Sequence, residues 1–408
     1  MSWPVLANER NCTACCACVA TCKKKALKKI LQNDGHYYIA IDPNRCVQCG
    51  ACEKVCPIIN GKDYGNNDFL ATVPYKGWSN LASYRTNGTS GGIFGAVAYD
   101  FVKSGGIVIG AALLQNECKH IVVERIEDIS RLQGSKYMYS DQSGIYDVIK
   151  EKLKEGKRVL YSGLPCNVAG ILSFFSNHPK KDNLYTIDLV CGGIPSTLLQ
   201  NCFFKIYPNS QILSFREKQQ YSLTYLHNEE KECAGYRNPL ISGFLSGLTN
   251  RYSCYHCKFA YLHRNSDLTL GDYWQKDVEN QQPASLILVH SNKGKELVAS
   301  ENIHIEKAEW KDFLPYNPKI AVCDIEWDKR WERKNLSYIY HKVPTYIFNV
   351  IYASMFKKYD AFAIVYLVYK KMRYFLEKRR RHLFVMDILK NIYQHRNCLL
   401  YTSDAADE

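Results

Sequence analysis

Long apolar runs are absent from this sequence. Two uncharged stretches in its C-terminal part, residues 343–356 and 361–369, fall short of the roughly 18 to 20 residues that an apolar helix needs to cross a bilayer. The first ten residues have no basic stretch followed by an apolar core, so they do not indicate a secretory signal. With 408 residues, 46% of them apolar, the composition is that of a globular chain with two or three domains. We therefore expect a cytoplasmic protein without a membrane span.

Two common nucleotide-binding motifs are also missing. No G-x-G-x-x-G precedes an acidic residue by about twenty positions, and there is no Walker A sequence. Any nucleotide cofactor is therefore expected to bind outside the Rossmann and P-loop schemes.

Cysteine, by contrast, is abundant, with 18 in the chain and a concentration of them before residue 57. A reducing compartment does not favour a disulfide framework, so metal ligation or redox chemistry is the leading explanation. Two runs have the spacing C-x2-C-x2-C-x3-C, which is that of bacterial ferredoxins with two clusters. In such runs three cysteines bind one cubane, and the fourth binds the neighbouring cluster. The predicted [4Fe-4S] ligands are therefore Cys12, Cys15, Cys18 and Cys56 for one cluster, and Cys46, Cys49, Cys52 and Cys22 for the other.

Zinc is the alternative for these cysteines, but it favours two C-x2-C pairs separated by a longer loop. Lys23 follows Cys22 where proline is usual, and Cys16 is an additional thiol, but neither departure removes a ligand. Five lysines between the runs form a basic edge, which is a solvated face or a guide for an acidic electron donor: Lys23, Lys24, Lys25, Lys28 and Lys29.

After a polar linker at residues 60–68, predicted strands alternate with amphipathic helices, which is the pattern of an α/β domain. The predicted strands are 107–114, 121–126, 158–161, 184–190 and 285–290. The predicted helices are 145–155, 167–175, 196–207 and 293–300. The pattern does not specify the order of the strands in the sheet.

Two loops of this region have residues suited to an anionic ligand. Residues 87–95 place glycine amides and the Ser90 hydroxyl before an apolar helix, an arrangement that suits phosphate. Residues 134–137 offer a hydroxyl and a cation in Gly134-Ser-Lys-Tyr137. An ordinary capped helix and a solvent-facing turn are the respective alternatives.

Four further cysteines stand at the ends of predicted elements: Cys166, Cys191, Cys254 and Cys257. Cys166 and Cys191 each follow a predicted strand, so both are expected at the carboxyl edge of one parallel sheet. The four thiolates would bind a third [4Fe-4S] cluster or a structural zinc, and their spacing does not choose between them.

Six motifs in order resemble the coenzyme F420 hydrogenase/dehydrogenase beta-subunit family. They are TSGG at 89–92, GSKY at 134–137, SGLPC at 162–166, DLVCGGIPS at 188–196, YSCYHC at 252–257 and RNSDLTLGDYW at 264–274. The resemblance implies a flavoprotein with FAD or FMN beside an iron-sulfur cluster. It also implies electron transfer between one-electron carriers and a two-electron acceptor, such as a deazaflavin coenzyme or another conjugated molecule.

Residue by residue, the resemblance assigns the third cluster to Cys166, Cys191, Cys254 and Cys257. The flavin residues that it implies are Ser90, Gly91, Gly92, Ser135, Lys136, Arg264, Asp267 and Asp272, with Trp274 packing nearby. Gly192 stands where the family usually has histidine, which puts in doubt any proton donation from that position. No catalytic residue is assigned.

The expected architecture is an α+β ferredoxin-like dicluster domain, then an α/β flavin-binding domain and a helical C-terminal segment. The expected bounds are 1–62, 75–315 (in two parts, 75–155 and 156–315) and 316–397. Residues 398–408 differ abruptly in composition and resemble a translated sequencing adaptor. Much of the net charge of +13 lies in residues 329–397, which suits an anionic membrane surface, an acidic partner or plain solvation. Nucleic acid is not expected, because no recognised binding fold accompanies the charge.

The expected function is that of an iron-sulfur flavoenzyme, which relays electrons through a third cluster and a flavin to a small-molecule or coenzyme acceptor. A redox protein is a possible donor. One alternative is a non-catalytic electron-transfer subunit of a larger oxidoreductase. The other is a zinc protein that binds nucleic acid through its basic segment.

Overall fold

The computed structural model describes residues 3–61, 71–217, 220–235, 238–247, 249–262, 264–274 and 283–321. Most of the predicted basic helical segment lies outside these ranges, and so does its predicted contact with a membrane or partner. Residues 398–408 also lie outside them. Within the described ranges no helix is long and apolar enough to cross a membrane.

Strands and helices alternate through most of the described chain. The strands are β1 (Leu27–Leu31), β2 (Tyr37–Ile41), β3 (Val73–Ser79), β4 (Ile107–Leu114), β5 (Glu117–Val123), β6 (Ser140–Asp141), β7 (Val159–Gly163), β8 (Leu184–Leu189), β9 (Gln211–Glu217), β10 (Gln220–His227), β11 (Glu230–Gly235), β12 (Leu268–Asp272), β13 (Ser285–Val289) and β14 (Ile303–Lys307). The α-helices are α1 (Ala17–Thr21), α2 (Ala51–Val55), α3 (Ala82–Asn87), α4 (Ile93–Lys103), α5 (Ile145–Lys154), α6 (Pro165–Phe175), α7 (Thr197–Ile206), α8 (Pro239–Ser246), α9 (Tyr252–Tyr255), α10 (Asn292–Val298) and α11 (Trp310–Phe313).

Most of the predicted strands and helices are confirmed with small shifts at their ends. The second predicted strand, at 121–126, is displaced, because β5 already begins at Glu117. Gln115 adopts a left-handed φ of 55°, which reverses the chain directly after β4 and pairs Leu114 with Glu117 in a hairpin. Strands β9 to β12 were not predicted from the sequence.

The two cysteine runs fold as a repeat around the β1–β2 hairpin. Ala14 and Gln48 stand two residues after the first cysteine of each run and have φ of 53° and 55°. Cys16 and Gly50 stand one residue after the second cysteine and have φ of 65° and 69°. Residues other than glycine are uncommon in this conformation, so its occurrence at matching positions shows that the two runs make the same backbone turn. The shared turn accompanies the shared cysteine spacing. The additional thiol of Cys16 thus occupies the position of a glycine in the second run.

A nine-stranded mixed sheet forms the centre of the α/β region, with the order β14-β3-β13-β12-β8-β7-β4-β5-β6. Strands β4, β7, β8 and β12 are parallel neighbours, and antiparallel strands flank them on both sides. The sheet is therefore mixed, whereas the sequence indicated a parallel one. Its inner strands are buried on both faces, which explains their continuous apolar sequences.

Three of the four groups of buried side chains in the described ranges pack the elements that carry the sites. One packs helix α4 against the sheet, and the second packs α5 and α6 on the opposite face, together with Cys15 and Ala17 of the ferredoxin-like region. The third joins α7 and α8 to the three-stranded sheet β11-β10-β9. The smaller sheet thus forms a unit with its own core.

Buried hydrogen bonds attach the ferredoxin-like region to the α/β region. Tyr146 donates to the carbonyl of Cys15 (2.7 Å), and Ser173 donates to the carbonyl of Val55 (2.6 Å). Lys29 contacts Tyr139 (3.2 Å) and pairs with Asp141, so it belongs to this interface rather than to the exposed basic edge. The cysteine loops are therefore fixed against the large sheet.

Candidate iron-sulfur and cofactor sites

The first predicted cluster set lines a small internal cavity of about 20 Å³. Its lining contains the four predicted ligands of this cluster, Cys12, Cys15, Cys18 and Cys56, and also the additional thiol of Cys16. Burial, followed by the charges of neighbouring thiols, raises the pKa of Cys15 to about 12 and that of Cys18 further. Such thiols ionise only beside compensating positive charge, which a bound metal supplies. The first three cysteines of one run thus meet the last cysteine of the other.

The second predicted cluster set lies closer to the surface. Cys49 is exposed, whereas Cys52 is buried, and burial raises the pKa of Cys52. The Cys22 sulfur accepts a hydrogen bond from the Ala26 amide (3.3 Å). This set therefore has one sulfur available to solvent or to a docking partner.

The four dispersed cysteines come together at the carboxyl edge of the large sheet. Cys166 lies in the first turn of α6, Cys191 follows β8, and Cys254 and Cys257 lie in and after α9. Burial and then the charges of Cys257, Cys191 and Cys254 raise the pKa of the Cys166 thiol well above its usual value. Cys15 of the ferredoxin-like region acts on Cys166 in the same way. The third set is therefore adjacent to the first.

Two backbone amides point at sulfur atoms of this third set. Gly193 N–H donates to Cys191 Sγ (3.3 Å), and Ile194 N–H donates to Cys254 Sγ (3.5 Å). Hydrogen bonds of this kind stabilise thiolate ligands and tune the metal they hold. In the described ranges, no three His, Cys, Asp or Glu side chains converge closely enough to hold a single metal ion.

A cavity of about 1290 Å³ opens beside this third set. Its wall includes Gly163 at the end of β7, Leu189 at the end of β8, Cys191 two residues later, and Asp272 at the end of β12. These are carboxyl ends of parallel strands, which is where α/β proteins place their ligands. The volume exceeds the roughly 300–1,000 Å³ of ordinary ligand pockets, so it has room for a dinucleotide-sized cofactor.

Some residues predicted for the flavin lie in the wall of this cavity, and others do not. The wall contains Ser90, Gly92, Ser135, Lys136 and Asp272, together with Trp274. Gly192 also lies in the wall, and a Cβ added to it would meet only Phe244, at 3.9 Å.

The remaining predicted flavin residues are engaged elsewhere. Gly91 donates its N–H to Ser285 Oγ (3.0 Å), which ties the loop to strand β13. Arg264 is buried and donates to the carbonyls of Phe259 and Ile320 (2.9 Å each). Asp267 accepts from the Thr186 amide (2.8 Å) and so joins β8 to the start of β12. Since none of the three lies in the cavity wall, their contacts give them structural roles.

Lys136 brings a positive charge to the cavity wall. Its ammonium group donates to the carbonyls of Leu132 and Gln133 (2.8 Å each). Burial lowers its pKa to about 8, so the group remains mostly charged at neutral pH. Helix α4 begins at Ile93 beside it, after Gly92 with φ of 78°. The cavity thus has an end suited to an anionic ligand.

Sequence reasoning missed an aromatic and cationic wall at the other end of the cavity. Arg216 of β9 pairs with Asp272 (2.7 Å) and lies over the rings of Tyr221 (5.0 Å) and Trp274 (5.9 Å). Tyr137 and Phe244 stack at 4.2 Å. The alternating residues 211–227, interrupted by a polar stretch, are typical of a β-hairpin and carried the missed signal.

The two cysteine runs of ferredoxin type define a protein with an iron-sulfur domain, and the third cysteine set stands beside a large cavity at the sheet edge. Residues 156–312 match the family described as the C terminus of the beta subunit of coenzyme F420 hydrogenase/dehydrogenase. Residues 38–65 match a 4Fe-4S binding domain. The resemblance inferred from the motifs is thereby confirmed for residues 156–312, and the ferredoxin-type cysteine run is confirmed by the match to a 4Fe-4S domain.

Two relatives give the extent of the similarity. The chain is 26% identical over 167 residues to the F subunit of the F(420)H(2) dehydrogenase of Methanosarcina mazei, which is 38% of this chain and 46% of that protein. The chain thus spans less than half the length of that relative. A chain of the F420-reducing [NiFe] hydrogenase complex from Methanosarcina barkeri superposes with a TM-score of 0.45 at 15% identity, over 68% of this chain and 90% of that one.

Proposed function

We propose that the protein relays single electrons through three [4Fe-4S] clusters to a flavin in the large cavity. The flavin then serves a two-electron acceptor, such as an F420-like or other conjugated coenzyme. The observation that carries the proposal is the position of the third cysteine set. Cys166 of that set neighbours Cys15 of the first set, and Cys191 of the same set lies in the cavity wall.

The order in which electrons pass through the three cysteine sets follows from how exposed each set is to solvent. The set with the exposed Cys49 receives electrons, the set with the buried Cys15 accepts them next, and the third set hands them to the cavity. Crossed ligation supports the first step, because each run contributes one cysteine to the neighbouring cluster. A structural zinc in the third set would interrupt this path, since zinc has no redox chemistry.

The cavity residues fit a flavin. Thr13 and Gln133 each place a buried oxygen in the wall that has no hydrogen-bond partner in the described structure. Lys136 and the start of α4 suit the phosphate groups of FAD or FMN, and the aromatic wall suits a planar ring. A bound flavin would convert one-electron into two-electron chemistry. The chain's own residues bind it, exclude water and hold charge at Lys136.

An acidic redox protein is the proposed electron donor. Exposed basic side chains surround the outer cysteine set: Lys23, Lys24, Lys25, Lys28, Arg45 and Lys54. Such a patch speeds the approach of an acidic partner, and its effect falls as salt screens the charges. Electron transfer from an acidic ferredoxin should therefore slow with rising ionic strength.

A non-catalytic electron-transfer subunit is the second candidate. The name of the Methanosarcina mazei relative describes one part of a larger enzyme, and the exposed Cys49 suits contact with another protein chain. In that case the isolated chain binds the same cofactors but does not reduce a small acceptor by itself.

Anaerobic reconstitution tests the proposal. The full chain, supplied with iron, sulfide and FAD, is expected to hold about twelve irons in three four-iron sites and one flavin. Reduced ferredoxin should then drive turnover of a deazaflavin acceptor. About eight irons with bound zinc would contradict the third cluster, and absent flavin would contradict the cavity assignment. Full cofactor content without turnover would favour the non-catalytic role.

A further inference from the structure

His120 and Ser140 form a hydrogen-bonded pair in the cavity wall, and neither residue was singled out from the sequence. His120 Nδ1 lies 2.8 Å from Ser140 Oγ, and its Nε2 lies 3.2 Å from the carbonyl oxygen of Ser162. The ring stacks on Tyr161 at 5.5 Å, with an interplanar angle of 10°. The pair therefore has a fixed geometry, set by β5, β6 and β7.

The direction of these hydrogen bonds follows from the acceptor at one end. A carbonyl oxygen only accepts, so Nε2 of a neutral His120 must carry the ring hydrogen. Nδ1 is then an acceptor, and Ser140 must donate its hydroxyl hydrogen to it. Ser140 Oγ consequently has lone pairs, and no hydrogen, left for the cavity.

The surroundings keep His120 neutral. Its pKa is lowered to about 4, chiefly by burial; the hydrogen bond to the Ser162 carbonyl opposes this shift, the positive charge of Lys136 adds to it, and Asp141 opposes it. Cys118, which pairs with Ser140 across β5 and β6, is the other neighbour of the hydroxyl. Because sulfur is a weak acceptor, the imidazole nitrogen retains the serine hydrogen.

We propose that Ser140 Oγ accepts a hydrogen bond from an N–H group of the bound isoalloxazine ring, and that His120 positions it as an acceptor. This inference rests on the proposed flavin site. A site of this polarity favours ligand atoms that carry hydrogen and disfavours bare acceptor atoms. Ser140 is thus a specificity residue, and His120 is a positioning residue that acts through it.

Ser140→Ala in the reconstituted full chain tests the proposal, with Ser130→Ala as a matched control on an exposed turn. Titration with FAD should show about fivefold to tenfold weaker binding for Ser140→Ala, the value of one hydrogen bond, and no change for the control. His120→Phe keeps an aromatic ring beside Tyr161 but frees the serine hydrogen, so a smaller loss is expected. Unchanged iron content and melting temperature show that each variant folds.

Two further measurements identify the donor. If the donor is the N3–H, an FAD analogue methylated at N3 should bind the wild type more weakly than FAD does. Methylation should not weaken binding to Ser140→Ala beyond the loss that this substitution already causes with FAD. If it is an N–H present only after two-electron reduction, Ser140→Ala should lower the flavin midpoint potential by about 30 mV for a tenfold loss. An affinity for oxidised FAD and a flavin midpoint potential that both equal those of the wild type overturn the inference and leave the proposed function intact. A weaker binding with neither signature overturns the assignment to a ring N–H, and no flavin binding at all overturns both.

Discussion

The cysteines of the first set and those of the third set reach similar buried surroundings by different routes. The first come from two short runs on a repeated loop, each with the same pair of left-handed residues. The third set comes from α6, the end of β8 and the segment at α9, and so needs the assembled sheet. Ligands on one loop are specified by spacing, whereas ligands on separate elements are specified by packing. The two kinds of site should therefore fail differently when the chain is altered.

Removing a cysteine ligand of the third set should have the largest effect on iron content and on electron transfer to the flavin. Cys166→Ala is expected to lose about four of about twelve irons and to stop reduction of the flavin through the clusters. Iron analysis and stopped-flow reduction measure both losses. Cys202→Ala is the control, because Cys202 is a buried cysteine that lies in the core of α7 and α8. An unchanged iron content in Cys166→Ala would contradict the assignment.

The second largest effect is expected from a backbone substitution that releases the third cluster but not the ferredoxin-like clusters. Gly193 has φ of 112°, and a Cβ there would lie 2.2 Å from the Asn250 amide nitrogen. Gly193→Ala is expected to cost about 1–3 kcal/mol and to release the third cluster while the ferredoxin-like clusters remain. Electron paramagnetic resonance distinguishes the signals.

The neighbouring substitution Gly192→Ala is the control for that prediction, because a Cβ at Gly192 meets only Phe244, at 3.9 Å. It should leave all clusters in place. Equal effects at both positions would show that the third set does not depend on this turn.

A substitution at the interface between the ferredoxin-like region and the α/β region should have a smaller effect, which is on the free energy of unfolding. Tyr146→Phe removes the hydrogen bond to the Cys15 carbonyl and leaves that buried oxygen without its partner, which costs about 1–2 kcal/mol. Chemical denaturation measures the loss. Tyr99→Phe, on helix α4, should change stability much less. If both variants unfold alike, the contact does not hold the regions together.

The smallest expected effect is that of the Lys136 charge in the cavity wall on the affinity for FAD. Burial lowers the pKa of Lys136 to about 8, so its ammonium is charged below pH 8 and is lost as pH rises above it. FAD, an anion, should therefore bind more weakly at pH 9.5 than at pH 7. Lys136→Met should remove this pH dependence and weaken binding at pH 7 by roughly fivefold. Dissociation constants across this pH range provide the measurement, and a persistent pH dependence in Lys136→Met would assign it to another group.

The alternating strand and helix pattern was predictable where burial made it strong. Strand β4 and helix α5 begin at the residues that their apolar periodicity indicates. The three-stranded sheet was missed, because strands β9 to β11 alternate apolar and polar residues and lack the continuous apolar sequences of the central strands. Arg216 was missed with it, since an arginine in an unrecognised strand gives no sign of facing a cavity.

The basic edge shows why side-chain roles were harder to predict than elements. Lys29 belongs to the same run as Lys28, but it faces Tyr139 and Asp141 across the interface. A strand directs successive side chains to opposite faces, and only the docked partner decides which face is solvent. Arg264 and Asp272 belong to one motif, but Arg264 precedes β12 and is buried among carbonyls, whereas Asp272 ends β12 in the cavity wall.

The sequence by itself determined the cysteine spacing, the loop conformation that follows from it, and the periodicity of the buried helices and strands. These depend on neighbours a few residues apart, so the local chain contains the information. The tertiary structure alone decided that the sheet is mixed, that Cys166 neighbours Cys15, and that Cys191 and Ser140 face one cavity. Those relations join residues far apart in the chain, because burial of both sheet faces, rather than local preference, brings the segments together.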